Sequence, residues 1–240
     1  MSKNKILVSG GGGHFAKCLS RLDKNIITLS KEKMDVQYYT NILEQIVRHK
    51  PKYFIHAGAM TRPISKHEQN PGQSIGNNII GTCHVVLACM HYNIKLIYIS
   101  TDYVYPGTQG NYAEDDPVLP FTKYGWSKLG GECAVQMYDN SLIIRTGMCN
   151  KPFPHKKAVC DNRKSLMWDE DVAKITLRLL NETGVINVGD MPLSYYDFAK
   201  NNDLEVDPIY IKDIDNKSMA TDCSLNIVKM RRALQSQVKN

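Results

Sequence analysis

The sequence has no apolar run approaching the roughly 18 residues needed to cross a membrane, no Cys-x-x-Cys pair, and no repeat or low-complexity tract. The first absence argues against a membrane partner. The opening residues, Met1 to Lys5, run directly into a strand-like segment, so no signal peptide is expected and a cytoplasmic location is. Seven cysteines lie scattered without paired spacing, a pattern of reduced thiols rather than a disulfide frame or zinc site. Cys89-x-His91 lacks a second pair to complete a tetrahedral metal site, so no metal is expected. The net charge of +6 is spread along the chain, with its densest cluster at Lys156-Lys157. No basic and aromatic stripe accompanies it, which argues against nucleic acid and leaves an anionic small molecule as the fitting ligand. A chain of 240 residues allows one large domain, or one with a small appendage.

What is present is an alternation of short apolar runs and amphipathic segments. Lys5 to Ser9 reads as a buried strand, followed at once by Gly10-Gly11-Gly12-Gly13 and then by Phe15, Cys18, Leu19 and Leu22 at helical spacing. Strand, glycine turn and helix form the context that a dinucleotide fingerprint needs. Two registers fit, Gly10-x-x-Gly13-x-x-Ala16 and Gly11-x-Gly13-x-x-Ala16. A second strand, Asn25 to Leu29, ends in Ser30-Lys31-Glu32-Lys33 where an NAD site usually carries an acid. Ser30 and Lys31 suit a 2′-phosphate instead, with His14 or Lys17 as helpers.

Further strands are predicted at 53–57, 95–99 and 141–146, with helices between them. Ala57-Gly58-Ala59 places small residues at a strand's carboxyl end, where a cofactor can lie against backbone. The polar stretch from Ser100 to Pro120 is a long loop of the kind that often carries function. It is followed by a predicted helix carrying Tyr124 and Lys128, with Trp126, Leu129, Cys133, Ala134 and Met137 as its expected buried face. Residues four apart share a helix face, so the Lys128 ammonium is expected to lower the Tyr124 pKa. A surface Tyr and Lys is the competing reading, and Tyr196 with Lys200 repeats the spacing. Buried strands alternating with helices imply a doubly wound parallel sheet, an α/β fold of Rossmann type. From Gly147 to Leu166 the chain turns polar and irregular, the best candidate boundary. Beyond it are expected a helix at 171–180, a strand at 184–188, a short helix at 195–199, a strand at 208–211 and a last helix at 225–234.

These residues together resemble the extended short-chain dehydrogenases/reductases, and within them the dTDP-4-dehydrorhamnose reductase group. The resemblance rests on the Gly10/Gly13/Ala16 turn, Ala57-Gly58-Ala59, Asn78-x-x-Gly81-Thr82, Ser100-Thr101-Asp102-Tyr103-Val104-Tyr105, the Tyr124/Lys128 helix and Ile144-Arg145-Thr146. Thr101 stands 23 residues before Tyr124, as in that family, whereas Tyr196 has no such partner. The resemblance implies that Thr101 hydrogen-bonds a substrate carbonyl, Tyr124 protonates it, and Lys128 holds the nicotinamide ribose. It implies cofactor contacts from Gly10, Gly13, His14, Phe15, Ser30, Lys31, Asp35, Ala57, Gly58, Ala59, Asn78 and Ser100, as well as from Tyr124 and Lys128. Asp35 looks like the family's adenine-contacting acid. Substrate contacts are expected from Thr61, Arg62, Thr101, Asp102 and Tyr103.

The expected organisation is a dinucleotide-binding domain with the catalytic residues at 1–148 and a shortened substrate-binding region at 149–240. The expected activity is NADPH-preferring reduction of a nucleotide-linked 4-keto-6-deoxysugar, with NADH as the alternative cofactor and a homodimer allowed. The region between Cys149 and Trp168 is shorter than in the family. Two other functions therefore stand beside the first. One is a non-catalytic NADP-binding regulatory protein, resembling the regulatory subunit of methionine adenosyltransferase. The other is a nucleotide-sugar epimerase or dehydratase, although Asp102 is followed by Tyr103 and not by a second acid.

Overall fold

Nine parallel-paired strands organise the computed structural model, which describes residues 4–202, 204–214 and 219–237. The first five are β1 (Ile6–Ser9), β2 (Ile26–Leu29), β3 (Tyr53–His56), β4 (Lys95–Ile99) and β5 (Ser141–Cys149). They lie in the order β2-β1-β3-β4-β5, every pairing parallel. The outer edge of β5 is shared: β8 (Gly184–Val188) lies along Leu142–Thr146, and β7 (Leu166–Trp168) along Gly147–Cys149. β6 (Lys157–Val159) and β9 (Asp207–Ile209) form a separate two-stranded pair.

Nearly continuous apolar strands are what a sheet covered on both faces requires. Alternate side chains go to opposite layers. Ile6, Val8, Ile55, Ile97, Leu142 and Ile144 pack against α1 (His14–Leu22) and α7 (Asp169–Arg178). Leu7, Phe54, Leu96 and Ile143 pack against α2 (Tyr39–His49) and α5 (Gly81–His91). Between β3 and α5 lie α3 (Ser65–Gln69), α4 (Pro71–Ser74) and a π-helical stretch, Ile75–Ile80. The strand order reverses between β1 and β3, and this crevice at the strands' carboxyl ends is where doubly wound sheets bind ligands.

The catalytic candidates ride on α6 (Lys123–Gln136), capped by Thr122, whose hydroxyl accepts from the Gly125 amide at 3.1 Å. The expected apolar face of this helix is corrected. Trp126, Cys133 and Met137 are exposed, and the buried face is Gly125, Ser127, Lys128, Gly131, Glu132 and Val135. The helix packs too closely on the backbone of Tyr103 and the ring of Tyr98 for large side chains to stand there. Leu129 and Ala134 pack against the core as expected, so hydrophobicity misassigns only Trp126, Cys133 and Met137, and the helix turns the charges of Lys128 and Glu132 inward.

The stretch read as irregular also holds more structure than expected. β5 continues through Gly147 to Cys149, and β6 and β7 follow before α7. Residues after 148 divide between two tasks: β7, α7 and β8 complete the main layers, whereas β6 and β9 form a separate pair that lines the same cavity as the glycine turn. α8 (Tyr195–Lys200) and α9 (Val228–Ser236) close the chain. No helix among the described residues is long and apolar enough to cross a membrane.

Candidate active site

The glycine turn is built by close backbone approach. Gly10 has φ +77°, and a Cβ there would fall 2.7 Å from the Gly58 Cα. Only glycine satisfies both the torsion and the contact. The turn delivers α1 with Gly13 as its N-cap and no side chain bonded to its first amides. Those amides are free for an anion at the positive end of the helix dipole.

The turn opens into a cleft of about 850 Å³. Gly10, Gly13, His14, Phe15, Ser30 and Lys31 line one end; Ala57, Ala59, Thr61 and Arg62 its middle; Ser100, Thr101, Asp102, Tyr103 and Tyr124 the other. A smaller adjoining cavity is lined by Asp35 and Gly58, sharing Gly10, Lys31 and Arg62 with the cleft. Lys31 reaches Asp35 at 3.6 Å, with 60% of its side chain exposed. His14 stands 4.0 Å from the buried Asp169.

Two predicted residues line neither cavity. Asn78 is buried: its amide donates to the Met60 carbonyl (2.9 Å) and to Ser127 Oγ (2.8 Å), while its oxygen accepts from the Met60 amide (2.8 Å). With every side-chain polar group committed, it clips the chain after Ala59 to α6. Lys128 lies beneath the wall. Its Nζ donates to the Ile99 carbonyl at 2.9 Å and sits 4.0 Å from the Tyr98 ring centre.

Tyr124 is half-buried, its ring edge-on to His67 at 5.1 Å and to Tyr103 at 6.3 Å. The Thr101 side chain lies within hydrogen-bonding reach of the phenol. The Thr101 hydroxyl also donates to Asp102 Oδ1 at 3.2 Å, and it accepts from the Tyr103 amide at 3.3 Å. The expected lowering of the Tyr124 pKa by Lys128 is corrected. Burial pushes Tyr124 up to about 12, the Asp102 carboxylate adds to the rise, and the groups that oppose it are Thr101, Lys164 and Arg62. Burial likewise pushes Lys128 down to about 7 against the pull of Glu132. Both follow from the same cause: a low-dielectric wall disfavours whichever form carries charge.

Several cleft residues escaped sequence reasoning: Met148, Phe153, His155, Lys164, Asp169 and Tyr195. Only the Lys156-Lys157 cluster hinted at them, through Lys157, which lines the same wall. Tyr195 faces the cleft while its neighbour Tyr196, of the duplicated Tyr/Lys spacing, does not.

Comparison with known proteins places the chain in a family. The model of the RmlD substrate binding domain family matches residues 4–151. A dTDP-4-dehydrorhamnose reductase of Streptomyces griseus is 31% identical over 147 residues, 58% of this chain and 48% of that protein. The chain thus spans about half the length of that relative. The spore coat polysaccharide biosynthesis protein SpsK of Bacillus subtilis is 28% identical over 219 residues, 81% of this chain and 77% of that one. Among solved structures, a Bacillus anthracis dTDP-4-dehydrorhamnose reductase in complex with NADP superposes with a TM-score of 0.87, covering 96% of this chain and 92% of that chain. At 22% identity this likeness concerns the fold. Glycine turn, strand-end Thr101 and α6 all fall inside the matched residues, and the chain belongs to the RmlD substrate binding domain family.

Proposed function

We propose that this protein reduces the keto group of a nucleotide-linked 4-keto-6-deoxysugar with NADPH. The observation that carries the reading is the meeting of Thr101 and Tyr124 on one wall of a cleft whose far end is the glycine turn. Relatives named as dTDP-4-dehydrorhamnose reductases, and one named as a dTDP-4-keto-6-deoxy-D-glucose reductase, supply the substrate class.

The chain fits a dinucleotide. Gly10 leaves the backbone cradle open, and the first amides of α1 suit the pyrophosphate. Ser30 and Lys31 suit a 2′-phosphate, and Asp35 the adenine-side cavity. NADPH, once bound, supplies a hydride. The chain supplies the rest. A proton donor must keep its proton until charge develops on the substrate oxygen, and Tyr124, held above its ordinary range, keeps it throughout the neutral pH range. Thr101 steadies the phenol and the oxygen it serves. Lys128 is assigned to the ribose, from beneath the wall. Within 149–240, the substrate-facing role falls to the segments carrying Phe153, His155, Lys157, Lys164 and Tyr195.

Epimerisation would need a base beside Thr101. Tyr103 stands there, but burial raises its phenol far above neutral pH and its hydroxyl lies 3.7 Å from the Met219 sulfur, so reduction alone is favoured. The test is NADPH oxidation followed spectrophotometrically with a panel of 4-keto-6-deoxy nucleotide sugars. Oxidation with at least one of them is expected. Tight NADPH binding with no oxidation by any sugar would instead identify a binding module.

A further inference from the structure

Beyond Thr101 and Tyr124, the cleft is lined by a buried lysine from the late part of the chain. Lys164 is 5% exposed, and its Nζ lies 2.8 Å from Asp102 Oδ2. Asp102 is 1% exposed and takes the Thr101 hydroxyl on its other oxygen at 3.2 Å. The Thr101 side chain also lies within hydrogen-bonding reach of the Tyr124 phenol. A continuous path thus runs from Lys164 through Asp102 and Thr101 to Tyr124.

The local build keeps this path in place. The Lys164 backbone exchanges two hydrogen bonds with Leu193, at 2.9 and 3.0 Å, while Arg163 is bonded to Thr221 and Cys223, each at 2.9 Å. The neighbouring strand makes room: a Cβ on Gly147 would fall 2.9 Å from Asp102 Oδ2 and 3.3 Å from Lys164 Cε. The ammonium also lies 4.1 Å from the Tyr103 ring centre, and 5.9 Å from that of Tyr195. A buried ion pair is costly to desolvate and is weak support for stability, so its presence beside the reacting phenol calls for a role in the chemistry.

We infer that Lys164 is a positioning residue which, through Asp102, fixes the Thr101 hydroxyl and eases proton release from Tyr124. The inference rests on the reductase reading. In the step it serves, the Tyr124 O–H bond breaks and an O–H bond forms on the substrate oxygen. The phenolate left behind is held by the Thr101 hydroxyl, which turns its one proton from Asp102 to the phenolate, and by the positive charge of Lys164, which offsets the Asp102 carboxylate, until solvent returns the proton. Burial opposes the Lys164 charge, but the Asp102 carboxylate overrides it and holds the ammonium well above its ordinary range, so the cation persists throughout the working pH range.

The test replaces Lys164 by Gln, which can still donate to Asp102 but carries no charge, and by Met and Arg. The ionisation of Tyr124 is followed in wild type and variants by carbon NMR of ring-labelled tyrosine, with the signal assigned by Tyr124→Phe. Tyr103, Tyr195, Cys223, His67 and Arg62 also face this group, so the site-resolved signal is needed. In folded Lys164→Gln the Tyr124 midpoint should rise by roughly half a pH unit or more. Its kcat should fall about 10-fold while NADPH affinity holds, and Lys164→Arg should restore both. If Lys164→Gln fails to fold, Lys164→Met carries the same expectation without the stranded amide. An unchanged Tyr124 midpoint and kcat in either folded variant overturns the inference. A midpoint that moves in a protein that oxidises no NADPH with any sugar upholds the positioning role and sinks the reductase reading.

Discussion

Two buried lysines mark the two walls of the cleft. Lys128 comes from α6, inside the segment matched to the family; Lys164 comes from the irregular segment after it. Both are nearly inaccessible, at 3% and 5% exposure. Lys128 faces a backbone carbonyl and falls to about 7, whereas Lys164 faces a carboxylate and rises. Burial alone therefore does not decide a lysine's charge; the partner does. The wall backed by α6 carries a lysine poised between its forms, and the wall built by the later segment carries a lysine held in its charged form.

The residue between the two walls gives the largest test. Tyr124→Phe removes one hydroxyl and keeps the ring packed on His67 and Tyr103. Turnover should fall roughly 10²-fold or more, the scale of a lost general acid. NADPH affinity, measured by fluorescence titration, should stay nearly constant, and kcat and kcat/KM should drop together. A variant with wild-type turnover would show that neither wall serves Tyr124.

Lys128→Met separates the walls. On the proposed assignment of Lys128 to the ribose, both NADPH affinity and kcat should fall, each by about 10-fold. Loss of turnover with unchanged NADPH binding would place Lys128 in the same class as Lys164.

At the exposed end of the cleft, Lys31→Glu should change the preference for NADPH over NADH by about tenfold, because an anion there repels a 2′-phosphate. Lys31 is 60% exposed and already neighbours Asp35, so the effect should shrink as salt is raised. Binding of both cofactors, titrated at two ionic strengths, checks it. An unaltered ratio would remove Lys31 from the cofactor site.

The two walls also differed in how far the sequence revealed them. The wall from the earlier residues is written locally. An apolar run, four glycines and a helical repeat lie within Ile6 to Leu22, and the strand that carries Thr101 is fixed by its own apolar residues. Its errors arose where packing reversed local preference. α6 turns Trp126 and Met137 to solvent because its buried face meets backbone, and Asn78 became a clip because Met60 and Ser127 use up its amide. The wall built by the later segment is written non-locally. β6 and β7 have three residues each, too few for a periodic signal. Lys164 gains its meaning only when Asp102, far earlier in the chain, is folded against it, and no spacing rule joins the two.

The smallest effect compares the charge states directly, through stability rather than activity. Lys128 has a folded-state pKa of about 7, below the ordinary lysine value of about 10.4 in an unfolded chain. Between those values the unfolded state binds the extra proton, so folding stability should rise with pH across this window. The largest contribution from one such group is about 1.4 kcal/mol per pH unit. Lys164 is shifted the other way, so its contribution is fully present in that window and is lost only as pH rises beyond it. Urea unfolding of wild type and Lys128→Met at pH 7.5 and 8.5 isolates the first term, because other titrations cancel in the difference. The wild type should gain on the order of 1 kcal/mol relative to the variant over that step. A flat difference would mean that Lys128 stays charged in the folded protein, and the contrast between the two walls would then lie in their positions and not in their charge.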